Sequence, residues 1–143
     1  MNTWLLDTGP LVAYLDAGDP AHHPVAACLD DFSGRIVTTG AVITEAMHFV
    51  AAADGGPTLL AEFVDASALQ VYDLCQPPEL HEAAKLMAKY GDTPMDFADA
   101  TLVLLAEALY ARDIVTLDRR GFSTYRTRHR RHFRLVLDDY GSG

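Results

Sequence analysis

Short apolar runs alternate along this chain with longer stretches of helical period, and that alternation limits the fold more than any other feature. Thr3 to Leu6, Arg35 to Thr38, Ala68 to Leu74, Asp113 to Leu117 and Phe133 to Leu137 read as strands. Helical patterns fall at 10–16, 21–32, 41–53, 58–67, about 78–90 and about 95–111. Short strands separated by one or two helices pair in parallel through crossovers. The expectation is an α/β fold: a three-layer α/β/α sandwich on a mostly parallel sheet of about four to five strands. With 143 residues, half of them hydrophobic, the chain is expected to form a single domain over residues 1–143.

Composition removes several classes. Two cysteines, Cys28 and Cys75, cannot staple a disulfide-dense secreted scaffold. No apolar run approaches the roughly 20 residues that span a bilayer. The N-terminus has no basic segment leading into an apolar run. A cytoplasmic protein with no membrane partner is expected.

Charge is unevenly placed. The net charge is −9, yet residues 119–134 carry seven of the 11 basic residues and no acidic one. The rest of the chain holds all 20 acidic residues and only four basic ones. An acidic body would attract metal ions, and a basic arm would attract phosphates. The bland alternative is that the arm is merely a solvated surface segment.

Four acids draw attention. Leu5-Leu6-Asp7 and Thr116-Leu117-Asp118 each place a carboxylate just past a buried strand. Ligands of open α/β sheets bind at such strand ends. Each Asp also suits helix capping, so function and capping compete at both positions. The helix from about 95 is apolar almost all round, and a buried acid in it needs a reason. Thr93 as N-cap, Pro94 in the first turn and Asp96 at the third position would account for Asp96. Asp99 then lies beyond the capping positions, and a cation accounts for it better. Glu45 is the one formal charge in the run from Ala41 to Val50, either on a narrow wet stripe or a ligand. Asp7, Glu45, Asp99 and Asp118 together form an oxygen donor set, which suits Mg²⁺ or Mn²⁺ rather than Zn²⁺. Hydrolysis of a phosphodiester by activated water is the matching chemistry.

The order Leu6-Asp7-Thr8-Gly9-Pro10, Val42-Ile43-Thr44-Glu45, Asp99-Ala100-Thr101 and Thr116-Leu117-Asp118 resembles the PIN domain, and within it the VapC toxins of type II toxin–antitoxin pairs. The resemblance runs from residue 3 to about 137. It implies a Mg²⁺- or Mn²⁺-dependent endoribonuclease that leaves a 5′-phosphate and a 3′-hydroxyl. By it, Asp7, Glu45, Asp99 and Asp118 match the family's acidic quartet. Asp99, 19 residues before Asp118, fits the third position better than Asp96, which becomes an auxiliary acid or a cap. Thr8 and Thr116 match auxiliary hydroxyl positions. Many relatives carry another acid two residues past the fourth, where this chain has Arg120, so a second metal site is weakened. The resemblance also implies a small cognate antitoxin, a homodimer and an RNA substrate.

Arg119, Arg120 and Arg126 are the expected contacts to the RNA backbone. Phe122, Tyr125 and Phe133 are candidates for stacking on unpaired bases, with core packing the stronger role for Phe122 and Phe133. Other readings fit less well. Asp7-Thr8-Gly9 occurs in aspartic proteases, but their fold is all-β. A haloacid-dehalogenase phosphatase would need an acid where Gly9 stands. A receiver domain would need a Lys after a late strand, and Arg119 follows Asp118 instead. A non-catalytic RNA- or protein-binding module of the same fold is the alternative from a different class, and an RNA-processing nuclease without an antitoxin is a further one.

Overall fold

The structure, a computed structural model, describes residues 2–140. Strands Thr3–Leu6 (β1), Arg35–Thr39 (β2), Gln70–Tyr72 (β3), Asp113–Val115 (β4) and Arg134–Leu135 (β5) form one sheet in the order β3-β2-β1-β4-β5. Every pairing in it is parallel. Leu5, Leu6, Val37, Ile114 and Val115 are fully buried at its centre. A parallel sheet needs cover on both faces, which is why β1 at its centre carries the continuous apolar run Trp4-Leu5-Leu6 rather than an alternating pattern.

The cover comes from helices Thr8–Leu15 (α1), His22–Asp31 (α2), Gly40–Val50 (α3), Gly56–Ser67 (α4), Pro77–Lys89 (α5), Phe97–Leu109 (α6) and Arg119–Thr124 (α7). The α/β layering expected from the alternation is the architecture found. No helix among the described residues is long and apolar enough to cross a membrane.

The chain steps from β1 outward to β2 and β3, then returns to β4 and β5 on the other side of β1. Strand order therefore reverses between β1 and β4, and ligands of such sheets bind outside the strand ends at that switch. The Asp7 amide donates to the Val115 carbonyl at 3.0 Å, so Asp7 opens the crevice from its floor.

Three local expectations need correction. First, α6 begins at Phe97 with Asp96 as its N-cap, so Thr93 and Pro94 lie outside it. Second, residues 119–124 form a helix (α7) where no element was expected, and this part of the basic arm is not merely a solvated segment; Phe122 and Tyr125 anchor it in the core. Tyr125 packs edge-on against Tyr90 and Phe122, and Phe122 against Phe133. Such aromatic pairs each contribute about 0.5–1.5 kcal/mol beyond burial, enough to hold a six-residue helix that could not stand alone. Third, the last strand is two residues long, and Val136–Asp139 close into a 3₁₀ turn.

Candidate active site

Asp7 caps α1. Its Oδ1 accepts from the Thr8 amide at 2.8 Å, and its Oδ2 accepts from the Thr116 hydroxyl at 2.7 Å. Thr116 Oγ1 in turn accepts from the Asp118 amide at 3.0 Å. One hydroxyl thus ties the end of β1 to the turn after β4 and fixes the Asp7 carboxylate. Asp7 is only 8% exposed, and burial pushes its pKa up to about 6 against these bonds, with Asp96 and Glu45 adding repulsion.

Asp96 and Asp99 form a reciprocal capping box. The Asp99 amide donates to Asp96 Oδ1 at 2.8 Å, and the Asp96 amide donates to Asp99 Oδ2 at 3.1 Å. This corrects the sequence reading in which Asp99 lay beyond the capping positions: it stands at the third position of α6 and has a structural duty of its own. The cap uses one carboxylate oxygen and leaves Oδ1 for a ligand. Desolvation, then Asp96 and Asp7, push the Asp99 pKa up to about 8.

Glu45 is half-buried on α3. Desolvation first raises its pKa against a hydrogen bond from the Thr8 hydroxyl, and the charge of Asp96 adds to the rise. Its helix is set by Thr39, the N-cap of α3, whose hydroxyl meets that of Thr101 on α6 at 2.8 Å. This buried pair, which sequence reasoning missed, fixes α3 against α6 and hence Glu45 against Asp99. Its only sequence signal is a threonine at the end of β2.

Asp118 caps α7, its Oδ1 accepting from the Gly121 amide at 2.9 Å. A Cβ at Gly121 would run into the Asp118 carboxylate and come within 3.1 Å of Tyr125. Gly121→Ala is therefore expected to displace Asp118 and to cost about 1–3 kcal/mol by overpacking. A thermal melt beside a cleavage assay checks it, and an unchanged melt would mean that α7 shifts freely.

Tyr125 registers the whole cluster. Burial first, and then Asp99, Asp118, Asp96 and Asp7, raise its pKa. Its hydroxyl donates to the Pro94 carbonyl at 2.9 Å, and the side chain is fully buried. Stacking on an RNA base is therefore excluded for Tyr125 as it is for Phe122 and Phe133, both buried.

Among the described residues, no three His, Cys, Asp or Glu side chains form a ready-made metal cage. The acids lie within Coulombic reach of one another rather than in shared coordination. The donor set nonetheless fits a hard dication. All donors are oxygens, and burial first, with repulsion among the acids added, makes the ionised forms of Asp7 and Asp99 unfavourable, a penalty that a bound dication would relieve. Mg²⁺ in particular is held by one or two carboxylates and keeps its waters, so no cage is required.

The expected RNA contacts separate. Arg119 pairs with Asp138 beside the crevice. Arg120 makes no ion pair among the described residues. Arg126 turns inward, its Nη1 donating to the carbonyls of Ser123, Thr124 and Tyr125 at 2.8–2.9 Å. It finishes α7 instead of offering that nitrogen to a phosphate.

Fold and site together define a parallel α/β protein with an acidic, cation-attracting crevice at its topological switch. The PIN domain family model matches residues 4–127, and the chain belongs to that family. It is 36% identical over 124 residues to Ribonuclease VapC26 of Mycobacterium tuberculosis (strain ATCC 25618 / H37Rv), covering 85% of this chain and 91% of that protein. Its fold is similar to that of Mycobacterium tuberculosis VapC20, described as a sarcin-ricin loop cleaving toxin. That match has a TM-score of 0.69 at 16% identity and covers 82% of this chain and 92% of the other. The fold also matches a chain of VapBC2 from Rickettsia felis, solved bound to a fragment of promoter DNA. There the TM-score is 0.56 at 16% identity, over 80% and 86% of the two chains.

Proposed function

We propose that this chain is a divalent-metal-dependent endoribonuclease of the VapC type and the toxin of a toxin–antitoxin pair. The observation that carries the proposal is that Asp7, at the end of β1 beside the switch point, lies within Coulombic reach of Glu45, Asp96 and Asp99. The extended similarity to a ribonuclease supports it.

Asp7 and Asp99 would hold the metal, Mg²⁺ or Mn²⁺, with Glu45 and Asp118 beside them. When bound, the ion neutralises charge on the scissile phosphate and makes a water more acidic. Thr116 orients the Asp7 carboxylate through its hydroxyl, so a ligand oxygen is preset before any cation arrives. Glu45, with its raised pKa, accepts a proton from the attacking water. Asp96 acts as a cap that raises the charge density of the crevice. Arg119 and Arg120, directly after Asp118, would contact the RNA backbone. The reading includes a small cognate antitoxin and a homodimer.

Incubating antitoxin-free protein with total cellular RNA, in Mg²⁺, in Mn²⁺ or in EDTA, tests it. Metal-dependent fragments with 5′-phosphate ends are expected. Intact RNA under both metals, with the protein folded, would leave a binding module in its place.

A further inference from the structure

The carboxyl edge of the sheet continues past the acids to a small cavity. Thr116 belongs to both places. Its hydroxyl bonds Asp7 Oδ2 at 2.7 Å, and the same residue lines a cavity of about 270 Å³ with Leu117, Arg119 and Asp138. Pro24, Leu137 and Tyr140 complete the walls. Other cavities stand away from the acids. One lined by Arg35 and Gln70, and another by Asn2 and Gly34, open where strands begin, at the opposite edge of the sheet. A third, lined by Leu74, Glu107 and Tyr110, lies against the far end of α6.

The sheet register places this cavity. β1, β4 and β5 are parallel neighbours, with Leu6 beside Val115 and Ile114 beside Leu135. The residues that follow these strands, Asp7, then Thr116 to Arg119, then Val136 to Tyr140, therefore emerge at one edge, from strands about 4.8 Å apart. Leu117 also seats on the start of α1: a Cβ at Gly9 would meet its Cδ1 at 3.4 Å, and Asp7 caps that helix. Thr116, Leu117 and Arg119 bracket Asp118 in the chain. The cavity thus begins where the acidic crevice ends, with Thr116 as the shared wall.

Its walls suit a flat group with a polar edge. Leu117 is large, apolar and exposed, and with Leu137 and the Tyr140 ring it offers apolar faces. The volume falls below the roughly 300–1,000 Å³ of sites that enclose a drug-sized molecule, so it takes one base rather than a longer ligand. The charged groups are Arg119 and Asp138, paired through Asp138 Oδ1. A carboxylate offers about four acceptor positions, so Asp138 keeps room for a donor edge. Among the RNA bases, guanine alone presents adjacent donors, N1–H and N2–H, that a carboxylate can take together. Adenine and cytosine set an acceptor beside their donor, and uracil sets acceptors on both sides of its own. We propose that this cavity is a guanine-binding subsite for the RNA substrate, with Asp138 reading the edge of the base and Leu117 and Tyr140 covering its face. Arg119 is a positioning residue that holds Asp138. The proposal takes the identity of the strand from the ribonuclease reading, but binding of the base needs no cleavage.

The test separates the two. Binding of 5′-GMP, 5′-AMP, 5′-CMP and 5′-UMP is measured in Mg²⁺ by NMR titration of wild type, Asp138→Asn and Leu117→Ala, each with a melt to show that it is folded. Wild type is expected to bind 5′-GMP at least about fivefold more tightly than the others, the lower end of what a bidentate base contact discriminates. Asp138→Asn should bring all of them within about twofold, because the amide sets a donor against a donor. Leu117→Ala should weaken every nucleotide alike. Equal binding by wild type, or a guanine preference that survives Asp138→Asn, would overturn the proposal. In an RNA carrying a single guanine, cuts should fall beside it and scatter in Asp138→Asn. Cuts that ignore the guanine while 5′-GMP binds selectively would overturn the substrate subsite and assign the cavity to a free nucleotide. Guanine preference without any metal-dependent cleavage would keep the base site and sink the nuclease. Cleavage without guanine preference would do the reverse.

Discussion

Replacing Asp7 by Asn is expected to lower metal-dependent RNA cleavage by at least about 10²–10³-fold, the scale of losing one preorganised electrostatic group. The same substitution should leave the metal-free protein more stable at pH 8. Asp7 is buried among acids, and its ionisation there is unfavourable, which is why its pKa stands near 6. Asparagine keeps an acceptor for the Thr8 amide and can donate to Thr116 Oγ1, so the local bonds survive without the charge. Activity and stability moving in opposite directions mark a residue kept for chemistry rather than for the fold. Asp99→Asn should behave alike, since its amide oxygen can still accept from the Asp96 amide. Asp96→Asn is the control. Asn caps helices as well as Asp does, so a cap alone predicts nearly full cleavage, whereas a ligand predicts a loss like that of Asp7→Asn. Purified variants in a cleavage assay and a melt at pH 8 decide it. Loss of both activity and stability in Asp7→Asn would show that Asp7 holds the fold together.

The centre of the sheet was legible because β1, β2 and β4 bury most of their side chains, leaving runs such as Trp4-Leu5-Leu6 that no surface segment would carry. Asp7 was legible for the same reason, as the first polar group past such a run. The start of α6 was not. Thr93-Pro94 and Asp96 with Asp99 both satisfy the local rules for a helix entrance. The choice is made from outside the segment, where the Tyr125 hydroxyl bonds the Pro94 carbonyl and holds it out of the helix. Residues 119–124 failed for a related reason. The stretch is short and polar, with no period to read, and its helix depends on Asp118 capping it and on Phe122 and Tyr125 reaching the core. Contacts between residues distant in sequence, such as Thr39 with Thr101, leave no pattern in either segment. The acids themselves were visible. Capping by Asp7 and Asp118 was legible too; what stayed hidden is that Asp99 also serves a helix entrance, through its bond from the Asp96 amide.

Raising the pH from 5 to 9 without divalent metal is expected to destabilise the protein, against the usual behaviour of paired carboxylates. Asp7 and Asp99 have folded pKa values near 6 and 8, both above their unfolded value of 3.8. The folded state therefore holds protons that the unfolded chain has released. Their contribution is complete below about pH 4 and is lost as the pH rises through 6 and then 8. A rise of the Asp7 pKa from 3.8 to about 6 corresponds to about 3 kcal/mol. The two acids feel each other, so the transition belongs to the pair and should be broad. A divalent cation reverses the sign, because it binds the ionised pair in the folded state only. At a hundred times its dissociation constant it returns about 2.7 kcal/mol. Melting curves over pH 5–9, with EDTA or with Mg²⁺, should diverge progressively above pH 6 and converge at pH 5, where protons occupy the site instead. Asp7→Asn should flatten the EDTA curve. Parallel curves in the two conditions would mean that the acids never converge on a cation, and the nuclease reading would lose its physical basis.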